Sequence, residues 1–592
     1  MNGLIVFNSA NDVVFQQFNA ALSEKVKDIA IKQGLLDEDA NGAVDGNIIL
    51  QIFSPVINSQ RIMHFQFDNT YASFECENGL NFTFGELLGC TFIKIGQKPV
   101  KTLKRHLGVA IALTRLFYGA NIFSTQASSV QEELLSTCLE CYEEHLFDTE
   151  QSMMLEALPH LLINAELKRT VRSTLDAALE RLREFGYNRA HALMFVSHKF
   201  VSITSTKQAL SLSAADLLFL ALLVRSLQQD TKPLNNSVAV FLQGLSQDPC
   251  SGCVPCIAHL TQLEKGIVLI QIVEYANVQV ASSIYDTFFV LQKIVSVQTQ
   301  GDTDALKQSY ECLKVFVKQS LDSLKRAKLK GDDLEIAVKK FSAKWENLRK
   351  MYAEFLKGFE REMLVRIESN MPSFVEDLKQ LFTLSCCDSS SVALDQLPEV
   401  ASIVDSKLIE VSEFLAVKAE RNISIEAYLE DFPGLIHFMY INRSSGLMIA
   451  PDLRVNQLVP KEKLWSMVEF TRNYLKKGQT TVMWKDKTFN YSYFLWFEDQ
   501  ASGALKSVDL QQHFNAPATA GKVLKTQYEP GLLAMEYYQQ LAEECFPEAA
   551  PGKIKCYELF CIHLGLVTAT CAVEHSRRLV ATIADVIGED CF

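Results

Sequence analysis

The sequence predicts an α+β chain of three tandem domains, each a five-stranded antiparallel sheet flanked by helices, with additional long helices. Three observations carry this. One order of elements, β-β-α-β-β-β-α-α, can be read three times without obvious sequence identity between the copies, as expected of related domains rather than a short-period solenoid. The length of 592 residues is too great for one hydrophobic core. A hydrophobic share of 48% and a charged share of 21% are ordinary for globular chains and leave little room for long disordered tracts.

The first unit, residues 1–185, opens with GLIVFN and VVFQQF, two β-rich runs separated by Ser-Ala-Asn-Asp. Residues 48–63 (IILQIFSPVINSQRIM) have apolar residues at 49, 52, 53, 56 and 63, spaced for one helical face and interrupted by Pro55. Strand-like runs follow at 71–76, 81–87 and 90–95, the first two joined by the turn signal Asn78-Gly79. Helix then dominates from Lys101 to Phe185.

The second unit, 186–394, restarts with strands at 192–196 and 200–204 and a helix from Ser213, its expected cap, to Leu227. Strands are expected at 238–243, 257–262 and 267–273, then long helices over 277–384 that pair or bundle. QQDTKPLNNS (228–237) reads as a surface loop. The third unit, 395–592, has strands at 435–442 and 446–450, then a helix over 461–477 that stops before Gly478. Strands follow at 480–485, 489–497 and 504–510, and helices at 530–545 and 553–587.

Charge and composition exclude several functions. Lys plus Arg total 57 against 70 Asp plus Glu, a formal charge of -13 that opposes generic attraction to nucleic acid or anionic lipid. The opening MNGLIVFNSAND lacks a basic segment and a cleavage site and reads as a first strand. The most apolar run, Ala215 to Val224, is short of the roughly 18–20 residues that span a bilayer and reads as a buried helix. Fifteen Cys without a paired framework fit reduced thiols in a cytoplasmic protein.

Motifs that suggest chemistry each have a plainer reading. In CSGCVPC, Cys250, Cys253 and Cys256, with His259 at the same spacing, could present thiolates and an imidazole to a metal. The missing second C-x2-C pair favours ordinary loop thiols, and no metal or cofactor is expected. Asp37, Asp39, Asn41 and Gly42 match the first half of a calcium loop, but position twelve is Ile48 instead of the bidentate Glu. Phosphate-cradling loops, nucleophile elbows and zincin helices have no matching motif. His437 and His563 lie in apolar runs and read as structural histidines. The aromatic run 491–497 and the amphipathic helices over 303–357 read as core, with a partner surface as the alternative.

At 421–451, RNISIEAYLEDFPGLIHFMYINRSSGLMIAP, above all YLEDFPGL at 428–435, the chain resembles the family of Hermansky-Pudlak syndrome type one proteins. Further similarity lies in YLKKGQTT (474–481), YSYFLWFE (491–498) and SAADLL (213–218), with weaker matches in SPVINS (54–59) and ENG (77–79). One departure is the short loop near 228–237, where vertebrate relatives carry a long Ser/Pro-rich insertion.

The resemblance implies three longin domains and a heterodimer with the Hermansky-Pudlak syndrome type four protein, the third biogenesis-of-lysosome-related-organelles complex. That complex is a guanine-nucleotide exchange factor for Rab GTPases thirty-two and thirty-eight or their counterparts. The resemblance further implies a cytoplasmic protein recruited through partners to endosomal, lysosome-related or pigment-granule membranes. A Rab effector, scaffold or tether without exchange activity is the alternative. Hydrolase, transferase or redox chemistry is not expected.

In related tandem-longin exchange factors the first domains of both subunits pair and present the GTPase platform. Residues 1–125 are therefore the expected contact region. Gln51, Asn58 and Arg61 on the 48–63 helix are the candidates to face the GTPase. Ala72, Phe74 and Cys76, on a strand that could form a sheet edge, are the candidates to face the partner.

Overall fold

The computed structural model describes residues 1–37, 44–67, 71–122, 129–147, 149–228, 233–245, 252–300, 303–327, 331–390, 392–421, 430–453, 459–507, 530–533, 537–549 and 552–587. In the first domain β1 (Asn2–Phe7), β2 (Val13–Phe18), β3 (Ser73–Glu75), β4 (Asn81–Leu87) and β5 (Cys90–Gly96) form a sheet in the order β2-β1-β5-β4-β3. α1 (Ala20–Lys32) and α2 (Gly46–Phe67) cover one face, while α3 (Val100–Tyr118) covers the other. Alternation in β1 sends Ile5 and Phe7 to the α1/α2 side and Leu4 and Val6 to the α3 side. A strand covered on both faces loses its polar alternation, which is why GLIVFN is apolar throughout.

α3 leads through α4 (Ser129–Glu140), a π-helical turn at Cys141–Leu146 and α5 (Gln151–Leu155) to the two-residue β6 (Leu158–Pro159) and α6 (Ala165–Glu184). The second sheet repeats the first, with β7 (Ala190–Val196), β8 (Lys199–Ser205), β9 (Asn235–Leu242), β10 (Val254–Gln262) and β11 (Ile267–Glu274) in the order β8-β7-β11-β10-β9. α7 (Ala214–Leu227) lies on one face, where Ser213 caps it in a full capping box with Asp216. Every residue of α7 but the last is buried, so an all-round apolar helix is what the sequence had to supply.

α8 (Val278–Gln300), α9 (Thr303–Ala327), α10 (Asp332–Gly358) and α11 (Arg361–Cys386) form a bundle with its own core, stacked through Tyr310 on Tyr352 and Phe341 on Phe374. α12 (Leu397–Leu408) and α13 (Ser412–Glu420) join α6 on the other face of the second sheet. The amphipathic faces over 303–357 are thus spent inside the bundle.

The third sheet is built from β12 (Leu435–Asn442), β13 (Leu447–Ile449), β14 (Thr481–Lys485), β15 (Phe489–Glu498), the two-residue β16 (Ala504–Leu505) and β17 (Lys555–Leu564). Its order, β14-β15-β17-β12-β13, repeats the other two, with β16 paired to β15 and β6 added in parallel outside β13. α14 (Lys461–Leu475) and α15 (Tyr537–Cys545) pack on one face and α16 (Ala569–Ile587) on the other.

Two expectations need correction here. The helix expected over 553–587 begins only at Ala569, because 555–564 is the central strand β17. KCYELFCIHL is buried from Cys556 to His563, and a run buried on both faces carries no period to tell strand from helix. The strand expected at 504–510 reduces to β16, residues 508–510 lying outside the described ones. In the aromatic run, Tyr491, Tyr493, Leu495 and Phe497 enter the core shared with the other domains, while Phe494 and Trp496 pack on the α16 side.

One core joins the three domains. α3 and α7 meet through Phe117 and Phe219, and the same cluster continues to Met439 and Phe560 of the third sheet. Residues 150–161 run through this junction. Glu150 pairs with Arg225 of α7, and Gln151 donates to Pro451 O at 2.8 Å. Met154 O accepts from Arg105 of α3 and Arg472 of α14, both at 2.7 Å. Glu156, left-handed at φ 48°, pairs with Arg105 at 3.0 Å and accepts the backbone N–H groups of Leu532 and Leu533. Leu155 O accepts from Arg443, whose guanidinium also grips Glu558 at 2.6 and 2.7 Å while Tyr493 donates to the same carboxylate. β6 then pairs with β13, and Leu161 N donates to Phe200 O of β8, so one strand tip closes two sheet edges.

Arg443 and Glu558 are each about 1% exposed. Arg443→Met should therefore cost roughly 3–5 kcal/mol in urea denaturation, because it leaves a buried carboxylate unpaired. Adding Glu558→Leu should recover much of that loss. His191, His259, His437 and His563 are also buried, and burial lowers each from 6.5 to about 4. Between those values the unfolded chain binds more protons than the folded one, so their contribution is whole above pH 6.5 and declines towards 4. The urea midpoint should fall over that window. His563→Phe should flatten the fall, since neither ring nitrogen of His563 has a partner among the described residues.

Candidate interaction surface

α2 is long, packs Ile49, Phe53 and Ile57 against the first sheet, and turns its other side outward. Pro55 has no N–H to give to Gln51 O, and the hydroxyl of Ser54 donates there instead at 3.1 Å. Gln51, Pro55, Asn58 and Ile62 follow each other at intervals of three and four and are exposed, Ile62 by 47%. This stripe carries no charge. The outward side of α10, by contrast, is mostly charged, with Glu335, Lys339, Lys340, Glu346, Lys350 and Glu354 exposed beside Ile336.

Arg61 stands beside the stripe and is partly committed. Its guanidinium donates to Asn8 O at 3.0 Å and Ser9 O at 3.2 Å, tying α2 to the β1–β2 turn. Burial lowers its pKa, with Glu86 opposing. Of the three expected contact residues on α2, Gln51 and Asn58 are open and Arg61 also has this bracing role.

β3 is an edge of the first sheet. Its pairing with β4 runs Ser73↔Thr83, Phe74↔Phe82 and Glu75↔Asn81, and the turn at Asn78-Gly79 has Gly79 at φ +74°. Ala72 O accepts from Phe84 N, and Cys76 N donates to Leu80 O. Antiparallel alternation therefore points the backbone groups of Ser73 and Glu75 outward. Ala72 is exposed, whereas Phe74 stacks on Phe82 at 4.6 Å and Cys76 packs with it on the α2 side. A strand added here would be bound by main chain at Ser73 and Glu75. The backbone groups of Ala72 and Cys76 are spent on Phe84 and Leu80, since neighbouring strands decide which groups of an edge stay open.

The cysteine motif does not converge. Cys250 lies outside the described residues. Cys253 belongs to the bundle core and Cys256 to the core shared by the domains, as residues three apart along an extended chain face opposite ways. Burial raises both thiols well above their ordinary value. His259 Nδ1 meets Ser237 Oγ at 2.8 Å, and His437 Nε2 meets Gln151 Oε1 at 3.1 Å. Among the described residues no group of three or more His, Cys, Asp or Glu is arranged to hold a metal ion, and no helix is long and apolar enough to cross a membrane. Of the half calcium loop, Asp39, Asn41 and Gly42 lie outside the described residues.

Comparison with known families agrees with the three sheets. The first longin domain of FUZ, MON1 and HPS1 matches residues 2–145, the second 187–291 and the third 434–586. The strap at 150–161 and the helices from α9 to α13 fall between these matches. The chain belongs to the family of FUZ, MON1 and HPS1, proteins built on three longin domains.

Proposed function

We propose that the chain is one subunit of a heterodimeric guanine-nucleotide exchange factor for Rab GTPases. Its partner in this reading is the Hermansky-Pudlak syndrome type four protein, and its clients are Rab GTPases thirty-two and thirty-eight or their counterparts on endosomal and lysosome-related membranes. Family membership supports a trafficking role of the exchange-factor type. The observation that carries the reading to particular residues is the uncharged, exposed stripe of α2 in the first longin domain, whose sheet has β3 as an edge. Protein interfaces are depleted of charge at their centre, and an exposed helix face without charge matches that composition.

Exchange of this kind needs no acid, base or nucleophile from the chain. The factor binds the nucleotide-free GTPase more tightly than the loaded one, and this difference lowers the barrier to nucleotide release. Moving the client from one part empty in a hundred to ninety-nine parts takes a preference of about 10⁴-fold, or about 5.5 kcal/mol. A specific interface buries about 1,600 Å² in total, more than one stripe of α2 supplies. A second subunit, bound at the β3 edge, would complete the surface. Magnesium in such a reaction belongs to the client.

The test is nucleotide release from purified Rab GTPases with this chain alone, its partner alone and the coexpressed pair. Faster release with the pair is expected, and release at the spontaneous rate would sink the reading. Tighter binding to GTP-loaded Rab than to the empty form would favour an effector or tether. The double variant Gln51→Ala/Asn58→Ala should slow stimulated release about tenfold at unchanged stability. Arg61→Ala should also cost about 1 kcal/mol of stability by freeing the β1–β2 turn, as a thermal melt would register.

A further inference from the structure

α16 begins with a thiol next to two histidines. Cys571 stands in its first turn, half-buried, with Sγ 3.4 Å from Nε2 of His575 one turn farther on. The Thr568 hydroxyl accepts from Cys571 N at 3.3 Å and Thr568 O from Ala572 N at 2.9 Å, so the helix has a capped start. Nineteen residues of helix therefore turn their positive end towards this sulfur, where a thiolate is stabilised as an anion.

His575 is only 6% exposed, and His563 of β17 is fully buried. Their rings lie 5.5 Å apart, and Phe432 meets His575 edge-on at 5.7 Å. Nδ1 of His575 and both ring nitrogens of His563 have no partner among the described residues. Leaving buried polar atoms unpaired costs free energy, so three such nitrogens beside one thiol mark a place for a small polar ligand. Burial first, and the charge of Arg578 second, lower the pKa of His575, with Glu574 opposing. The ring is therefore neutral at pH 7 and open to a proton at Nε2. Burial raises the thiols of Cys138, Cys386, Cys545 and Cys561 to about 12, while Cys312 is exposed in the middle of α9, far from a helix start.

We infer that Cys571 is a modification site, a thiol that hydrogen peroxide oxidises to sulfenic acid with His575 as its proton carrier. Nε2 takes the thiol proton, the thiolate attacks one peroxide oxygen, and an S–O bond forms as the O–O bond breaks. The departing hydroxide takes the proton back from His575 and leaves as water, and sulfur has lost two electrons to the peroxide. The hydroxyl left on sulfur both donates and accepts, which is what the unpaired nitrogens of His563 and His575 lack. The three side chains do not converge as a metal cage, and a half-buried thiol admits a small oxidant before a bulky electrophile.

The experiment treats the reduced full chain with hydrogen peroxide in the presence of dimedone, a trap for sulfenic acid, and reads the label by mass spectrometry of digested peptides. No GTPase is present, so its outcome is separate from that of the exchange assay. In the unsubstituted chain Cys571 should be labelled about tenfold faster than the exposed Cys312. His575→Gln keeps a hydrogen-bonding amide beside the thiol but cannot carry its proton. It should slow labelling of Cys571 about tenfold and leave Cys312 unchanged, whereas loosened packing would speed labelling of the buried Cys561. Cys571→Ser should remove the fast label with an unaltered melt. Equal rates at Cys571 and Cys312 in the unsubstituted chain, or an unslowed Cys571 in His575→Gln, would overturn the inference.

Discussion

Four arginines converge on one short strap, and the arrangement of the three domains depends on them. Arg105 comes from the first domain, Arg225 from the second, and Arg443 and Arg472 from the third, and each reaches a carbonyl or carboxylate within residues 150–156. Charges taken out of water are costly, and here Arg105 is matched by Glu156, Arg225 by Glu150 and Arg443 by Glu558. The set is therefore cooperative, because loss of one member strands its counterpart. Strap and shared core make the three longin domains one body, unlike beads joined by linkers.

Most of the fold could be read from the sequence where a local signal was present. Ser213 declared its helix by capping, Asn78-Gly79 declared its turn, and the alternation around residue 70–95 declared a meander. Legibility failed where a segment is covered on all sides, as in β17, since burial on both faces erases the period that separates strand from helix. β6 was invisible for another reason. Its two residues are a strand only because β13 accepts them, and no local propensity encodes such a long-range pairing.

The interaction surface was legible in part. The period of α2 identified Gln51 and Asn58 as outward residues, and the same period would have added Ile62 had absence of charge been weighed with exposure. Arg61 looked equally free, and only the β1–β2 turn, brought alongside by the fold, reveals its bracing role. The cysteines of CSGCVPC show the converse. Spacing that suits a metal in a loop separates the thiols once the segment is extended, and Cys253 and Cys256 end in different cores.

The strap also sets a schedule for biosynthesis. Gln151 and its acceptor Pro451 are 300 residues apart, so the edge that β6 must cover is made long after β6 itself leaves the ribosome. Until then the strap has nothing to pair with on that side, and the first two sheets wait with an unfilled seam. Such distant closure makes the last step slow and leaves nascent chains dependent on protection. Chains released early would lack the third sheet altogether and leave the carbonyls of Met154 and Leu155 without the guanidinium groups of Arg472 and Arg443.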